Sequence, residues 1–354
     1  MKAARIYGQK DLRIEDLDIE DPKADEVQIK VHDVGICGSD IHMYQEGTGI
    51  PYEKHPLTGK TVPITEGHEF SGEVVQIGSA VTNFAVGDHV CVEPVLACGK
   101  CEFCRKGLYN YCTQGVGPDG SLQFIGFSAD GGMAELVNVN EMYTFKLPDG
   151  MDYELGALVE PGAVTYEAVR DSGLITGQTV AVLGAGPIGL LTALMAKYAG
   201  ATKVYIADLV PERLAKAKEL GFSDVINSAE VDIVEHVYDE LPNGVDVVFE
   251  CAGVQPTLNQ AVQLVAPAGV LEIVALFNGD YTLDITTLQN KGVDVHTIMG
   301  YANCFPPTIG IINEHQATFK KLVTKRISLD QAEKGIKSLM TDKNQVKVMI
   351  EPQK

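Results

Sequence analysis

The chain has 354 residues, 45% hydrophobic and 21% charged, a globular composition that excludes disorder, collagen and coiled coil and suits about two domains at roughly 150 residues each. Its 28 basic and 48 acidic residues leave a net charge of −20, which repels nucleic-acid phosphates and anionic lipid. No apolar run reaches the ~20 residues that span a bilayer and the opening MKAARIYGQKDLRIED has no apolar leader, so a cytoplasmic location is expected, with no nucleic-acid or membrane partner.

Up to about residue 150, short apolar alternations broken by glycine (EVQIKVHDVG, FSGEVVQIG, GDHVCVEP, MAELVNVN) predict strands joined by turns, a β-rich barrel or sandwich. The segment GICGSDIH at 35–42 reads as a glycine-flanked turn after the first of these strands. From about 155, strands alternate with helices: TVAVLGA, helix 187–199, KVYIADL, helix 211–220, DVIN, helix 232–240, VDVVFECAG, helix 256–265, GVLEIVALF and VDVHTIMG. Such repeated βα units predict an α/β domain with a doubly wound parallel sheet. The tail offers FPPTIG, helix-like stretches at 316–324 and 330–340, and one clear strand, VKVMIEP; too small to fold alone, it is expected to return to the first domain.

Four of the eight cysteines crowd into one polar loop as Cys98-x2-Cys101-x2-Cys104-x7-Cys112. Each C-x-x-C offers two thiolates to one ion, so the lobe at 98–112 predicts a structural zinc with four sulfur ligands. The competing iron–sulfur pattern has a shorter last gap followed by proline, whereas Thr113 follows Cys112. Packed, unliganded thiols fit poorly in a stretch as polar as GKCEFCRKG.

Strand TVAVLGA runs into Gly184-x-Gly186-x-x-Gly189 and then an apolar helix, the setting the dinucleotide fingerprint requires. Gly184 serves the tight turn, Gly186 the approach of a pyrophosphate and Gly189 helix–strand packing, while Pro187 sits in the first helical turn, where a missing N–H costs nothing. Asp208, 19 residues after Gly189, is placed to accept the adenosine ribose hydroxyls, which favours NAD over NADP. Arg213 stands near enough to contact the adenine or ribose.

Cys37, Ser39 and His42 fall within GICGSDIH, His68 and Glu69 within GHE, and Glu160 within the apolar run ALVEPGAVTYEAV. Each alone fits a structural role. Taken in order, GICGSDIH, GHEFSGEVVQIG, VGDHV, the cysteine lobe, VEP and VLGAGPIGLL make the sequence resemble the zinc-containing medium-chain alcohol and polyol dehydrogenases along essentially its whole length.

The resemblance implies a β-rich GroES-like catalytic domain (1–154), a Rossmann-type NAD-binding domain (155–298) and a C-terminal segment (299–354) returning to the catalytic domain. It matches Cys37, His68 and Glu160 to catalytic zinc ligands, with Glu69 in close support, Ser39 to a proton-relay hydroxyl and His42 to its terminal acid/base. Ile188, Val274 and Leu276 match positions around the pyrophosphate and nicotinamide, although each suits a core role equally. One catalytic and one structural zinc per chain, NAD and a homodimer or homotetramer are implied. HPLTG at 55–59 and GFSADGGMAELV at 126–137 look most like the butanediol branch, which implies a small neutral diol and hydroxyketone, (R,R)-2,3-butanediol and acetoin. Sorbitol and L-threonine dehydrogenases share most motifs, and a non-catalytic dinucleotide-binding protein of this fold is a more distant alternative. The remaining histidines, including His296, read as solvated or structural, and Cys91, Cys251 and Cys304 as packed thiols.

Overall fold

Two-residue alternation carries the first part of the chain into strands, and βα alternation carries the middle. The computed structural model describes residues 1–342 and 344–354. Strands β1 (Lys2–Gly8), β2 (Asp11–Asp16) and β3 (Glu26–Gly35) lead into α1 (Gly38–Glu46), followed by β4 (Ile64–Thr65), β5 (Glu69–Ile77), β6 (His89–Val92), α2 (Glu102–Arg105), β7 (Leu136–Asn140), β8 (Thr144–Lys146), α3 (Tyr153–Ala157) and α4 (Val159–Asp171). The middle comprises β9 (Thr179–Leu183), α5 (Pro187–Tyr198), β10 (Lys203–Asp208), α6 (Pro211–Glu219), β11 (Val225–Asn227), α7 (Ile233–Glu240), β12 (Val245–Glu250), α8 (Gln255–Leu264), β13 (Val265–Ile273), α9 (Ile285–Lys291) and β14 (Asp294–Thr297). The last part holds α10 (Phe305–Glu314), α11 (Gln316–Phe319), β15 (Val323–Ser328), α12 (Ala332–Thr341) and β16 (Lys347–Glu351).

These elements form two units, Met1–Glu160 with Tyr301–Lys354, and Pro161–Gly300. In the first, a sheet runs β15-β16-β3-β5-β6-β8 with β7 also on β3, and a smaller one runs β2-β1-β4. Its core gathers Ile6, Ile29, Val31, Phe70, Val74, Met133 and Ile350, the inward residues of those alternations. Strand β16 pairs antiparallel with β3 and parallel with β15, so the C-terminal residues complete this sheet.

The second unit is a parallel sheet in the order β11-β10-β9-β12-β13-β14. Strand β9 is buried from Val180 to Leu183, the continuous apolar run expected of a strand covered on both faces. Strand order reverses about β9, whose carboxyl end carries the glycine-rich turn, the position where such sheets take ligands.

The structure departs from the sequence reading in several places. GICGSDIH is no simple turn: α1 begins at Gly38, and the Asp40 carboxylate takes the Cys37 backbone N–H at 2.8 Å. FPPTIG starts α10, where the prolines lie in the first turn and Ile309 and Ile312 are buried. The helix expected over 316–324 is α11 to Phe319 and a single 3-10 turn over Lys320–Leu322; VTKRIS forms β15 instead, with Val323 and Ile327 buried. Strand β13 ends at Ile273, which leaves Leu276 beyond it and 65% exposed.

A Cβ on Gly189 would stand 1.8 Å from the Gly184 carbonyl oxygen. Gly189→Ala must therefore push α5 away from β9, and we expect a loss of about 2–4 kcal/mol in stability, measured by chemical denaturation. An unchanged midpoint would mean that the helix shifts freely.

Candidate active site

In the cysteine lobe the backbone turns place N–H groups on sulfur: Cys101 N–H on Cys98 Sγ (3.3 Å), Cys104 N–H on Cys101 Sγ (3.5 Å), and Cys98 N–H on Cys112 Sγ (3.3 Å). These donors favour thiolate, and the Cys104 N–H above all brings the Cys101 thiol down to about 5. Burial, with neighbouring sulfurs adding to it, pushes Cys104 up to about 12. The Cys101–Cys104 and Cys98–Cys104 sulfurs lie 3.4 and 3.9 Å apart, and all four sulfurs lie within 4.8 Å of one another. Tetrahedral zinc with Zn–S of about 2.3 Å spaces its sulfurs by about 3.8 Å, so this donor set fits a zinc ion.

A second group brings Cys37 Sγ, a His68 ring nitrogen and a Glu69 oxygen within 4.8 Å of one another. Cys37 caps α1, His68 directly precedes β5, and Glu69 opens that strand. One thiolate, one imidazole and one carboxylate form a donor set suited to catalytic zinc with a position left for a further ligand. Ser39 Oγ lies 3.4 Å from His68 Nε2. His42 is half-exposed, with Nδ1 3.4 Å from Glu46.

Buried charges hold the group in place. Asp40 Oδ1 lies 3.3 Å from His68 Nδ1. Burial opposes protonation of His68, but Asp40 and Cys37 together outweigh it and hold the imidazole well above its ordinary value. Lys347 Nζ donates to both oxygens of Glu69, at 2.8 and 2.6 Å, and to the Ile36 carbonyl at 3.2 Å. Burial pulls the Lys347 ammonium down, while Glu69 raises it further and keeps it charged. Gly35, opposite Glu69 in the ladder, makes room for that carboxylate, since a Cβ there would meet Oε2 at 2.0 Å.

Glu160 lies outside the three-residue group. Its Oε1 accepts from Tyr301 Oη at 3.0 Å, and burial pushes its carboxyl up to about 7, His68 pulling it down and Glu69 pushing it up. The charges of His68 and Glu69 are thus felt at Glu160, although Tyr301 is its hydrogen-bond partner.

In the glycine-rich turn, Gly184 has φ +101°, Gly186 caps α5, and a Cβ on Gly186 would meet nothing nearer than Arg213 Nη1 at 4.0 Å. That open cradle at a helix N-terminus suits a pyrophosphate. Asp208 ends β10 with both oxygens engaged: Oδ2 takes the Ala185 N–H at 2.7 Å and Oδ1 the Val210 N–H at 2.8 Å. Arg213 Nη1 approaches Asp208 Oδ2 to 3.5 Å. Ile188 is half-buried, Val274 is buried and Leu276 is exposed.

Sequence reasoning missed Asp40, Tyr301 and Lys347. Lys347 had a readable signal, a lone cation inside the apolar strand VKVMI, and Asp40 had another, an acid three residues after a helix cap. Tyr301 had none.

The description "Alcohol dehydrogenase GroES-like domain" matches residues 23–149 and "Zinc-binding dehydrogenase" matches 187–314. A Bacillus subtilis relative named (R,R)-butanediol dehydrogenase is 44% identical over 358 residues, covering 99% of this chain and 100% of its own. The sorbitol dehydrogenase of the same organism is 36% identical, covering 99% and 97%. A crystal structure of 2R,3R-butanediol dehydrogenase from Bacillus subtilis superposes with a TM-score of 0.92 at 42% identity, covering 99% of both chains.

Lys347→Met leaves the Glu69 carboxylate buried without a counter-charge. We expect a loss of about 3–5 kcal/mol in denaturant unfolding, largely recovered in the Lys347→Met/Glu69→Gln double variant. Additive losses in the double variant would show that the two side chains do not depend on each other.

Proposed function

The chain belongs to the zinc-binding alcohol dehydrogenases with a GroES-like domain, and on that premise we propose that it interconverts (R,R)-2,3-butanediol and acetoin using NAD(H). The observation that carries the reading is the end-to-end similarity to a butanediol dehydrogenase in a chain that gathers Cys37, His68 and Glu69 at one point.

A bound zinc would supply a Lewis acid for the substrate hydroxyl, and NAD the hydride acceptor. Cys37 and His68 would hold that zinc together with an acidic third ligand. Glu69 has an oxygen in the donor group, and Glu160, kept in place by Tyr301, is the carboxylate available to exchange with it. Asp40 sets the His68 ring so that Nδ1 faces the carboxylate and Nε2 is left for the metal. Ser39 Oγ takes the substrate hydroxyl proton and passes it toward His42, one helical turn further along α1 and open to water.

Lys347, the cation beside the donor group, is already paired with Glu69. That pairing occupies this ammonium, so Lys347 is not available to hold a substrate carboxylate, which favours a neutral diol over L-threonine. The four lobe cysteines bind a second, structural zinc. Asp208 reads the ribose hydroxyls and opposes a 2′-phosphate, hence NAD. A cytoplasmic location suits a chemistry that needs Cys37 and the lobe cysteines as thiolates. Edge strand β14 exposes Asp294, Val295 and Thr297, and pairing of this edge with a second copy gives a homodimer as the basic assembly.

The test is NAD reduction with (R,R)-, meso- and (S,S)-2,3-butanediol, sorbitol and L-threonine on one preparation. We expect the (R,R)-diol to give the highest kcat/KM; a preference for sorbitol overturns the substrate assignment and keeps the reaction type. For the cofactor, Asp208→Asn should raise the NADP-to-NAD ratio of kcat/KM by about tenfold, roughly 1.4 kcal/mol. An unchanged ratio removes Asp208 from cofactor choice.

A further inference from the structure

Glu272 lies in β13 of the second unit, with 0% of its surface exposed, and neither carboxylate oxygen accepts a hydrogen bond. An ionised carboxylate in that position is costly unless something positive faces it. Its ladder partner on β14 is His296, whose Nδ1 lies 3.8 Å from Glu272 Oε2. The same nitrogen is 2.9 Å from the Asp171 carbonyl oxygen and 3.4 Å from Asp171 Oδ2, at the last residue of α4. One donor atom from each of the three side chains falls within 4.8 Å of the others.

We propose that Asp171, Glu272 and His296 form a binding site for a divalent transition cation, separate from the cysteine lobe and from the Cys37 group. The spacing suits it: with metal–ligand bonds of about 2.1 Å, neighbouring donors around one ion lie about 3.0–3.5 Å apart, so modest side-chain movement closes the shell. The donors suit it as well, because one imidazole and two carboxylates match zinc or cobalt, while calcium and magnesium take all-oxygen shells. Burial pushes the Glu272 carboxyl up to about 8, with Asp171 and Glu167 adding to it, so the pocket as it stands disfavours the charge that a cation would stabilise. In binding, the Nδ1 proton that His296 shares with the Asp171 carbonyl moves to Nε2 or to water, freeing the Nδ1 lone pair. Asp171 is exposed and His296 half-buried, which gives the ion its way in. Three separate elements, the end of α4, β13 and edge strand β14, are thereby tied together.

The opposing reading makes His296 itself the counter-charge, as an imidazolium, with no metal involved. Zinc-loaded protein, dialysed at fixed free zinc, separates the two when wild type is compared with Glu272→Gln, His296→Ala and the surface change Asp171→Asn. By native mass spectrometry we expect wild type to hold about one zinc per chain more than each variant, and added zinc to raise the Tm of wild type but not of Glu272→Gln. Equal zinc counts in wild type and Glu272→Gln, or a zinc-induced Tm rise of the same size in both, overturn the proposal. Glu272→Gln removes a buried charge and keeps the shape, so its folding is not the obstacle; should His296→Ala fail to fold, Asp171→Asn supplies the second comparison.

Discussion

Glu69 opens β5 wholly shielded from water, and Lys347 meets its carboxylate from 278 residues further along the chain. Much of the first unit follows from that pair. Lys347 needs a strand to carry it, and β16 supplies one by inserting between β15 and β3, with Gly35 at the end of β3 leaving the space that Glu69 fills. Removing either charge leaves the other stranded at a cost of several kcal/mol, so the C-terminal residues are a condition for keeping an acid beside Cys37 and His68. Net stabilisation by such a pair is small against an apolar alternative; its consequence is that one register of β16 satisfies Glu69 and a slipped register does not.

The two cysteine-bearing sites differ in how locally they are built, and legibility follows that difference. The lobe draws its ligands from a single loop, with helix α2 and its backbone N–H groups fixing the sulfurs, so spacing alone identified it. The Cys37 group draws on α1, the approach to β5 and, through Lys347, the far end of the chain. Nothing in the spacing of Cys37 and His68 predicts their meeting, and they were recognised through the family resemblance. Tyr301 and Lys347 have partners, Glu160 and Glu69, that are distant in sequence; a lone lysine in VKVMI signals a buried acid without saying which, and nothing around Tyr301 signals one.

Element type was legible where periodicity was strong. The βα alternation from Thr179 onward gave strands and helices close to those observed, since a buried parallel strand such as VAVL leaves little ambiguity. Failures fell where local chemistry opposed the pattern. GSD reads as a turn until Asp40 is seen capping the Cys37 N–H. VTKRIS is too polar to stand out as a strand, yet pairing with β16 makes it one.

A surplus of acids also runs through the interior, and the partner each acid finds decides what it can do. At strand ends the backbone offers free N–H groups: Asp208 takes those of Ala185 and Val210, and Glu250, at the end of β12, takes those of Ala252 and Gly253. These carboxylates brace the turns at the carboxyl edge of the parallel sheet, so Asp208, besides being suited to a ribose, holds the glycine-rich turn in shape. Mid-fold acids have no such donors. Glu69 has an ammonium for its partner; Glu160 has a phenol, and burial pushes its carboxyl up to about 7. A carboxylate compensated by protein is fixed in place, whereas one that is not gains most from a cation, so Glu69 has least to gain, and Glu66 and Glu272, none of whose oxygens accepts a hydrogen bond among the described residues, have more.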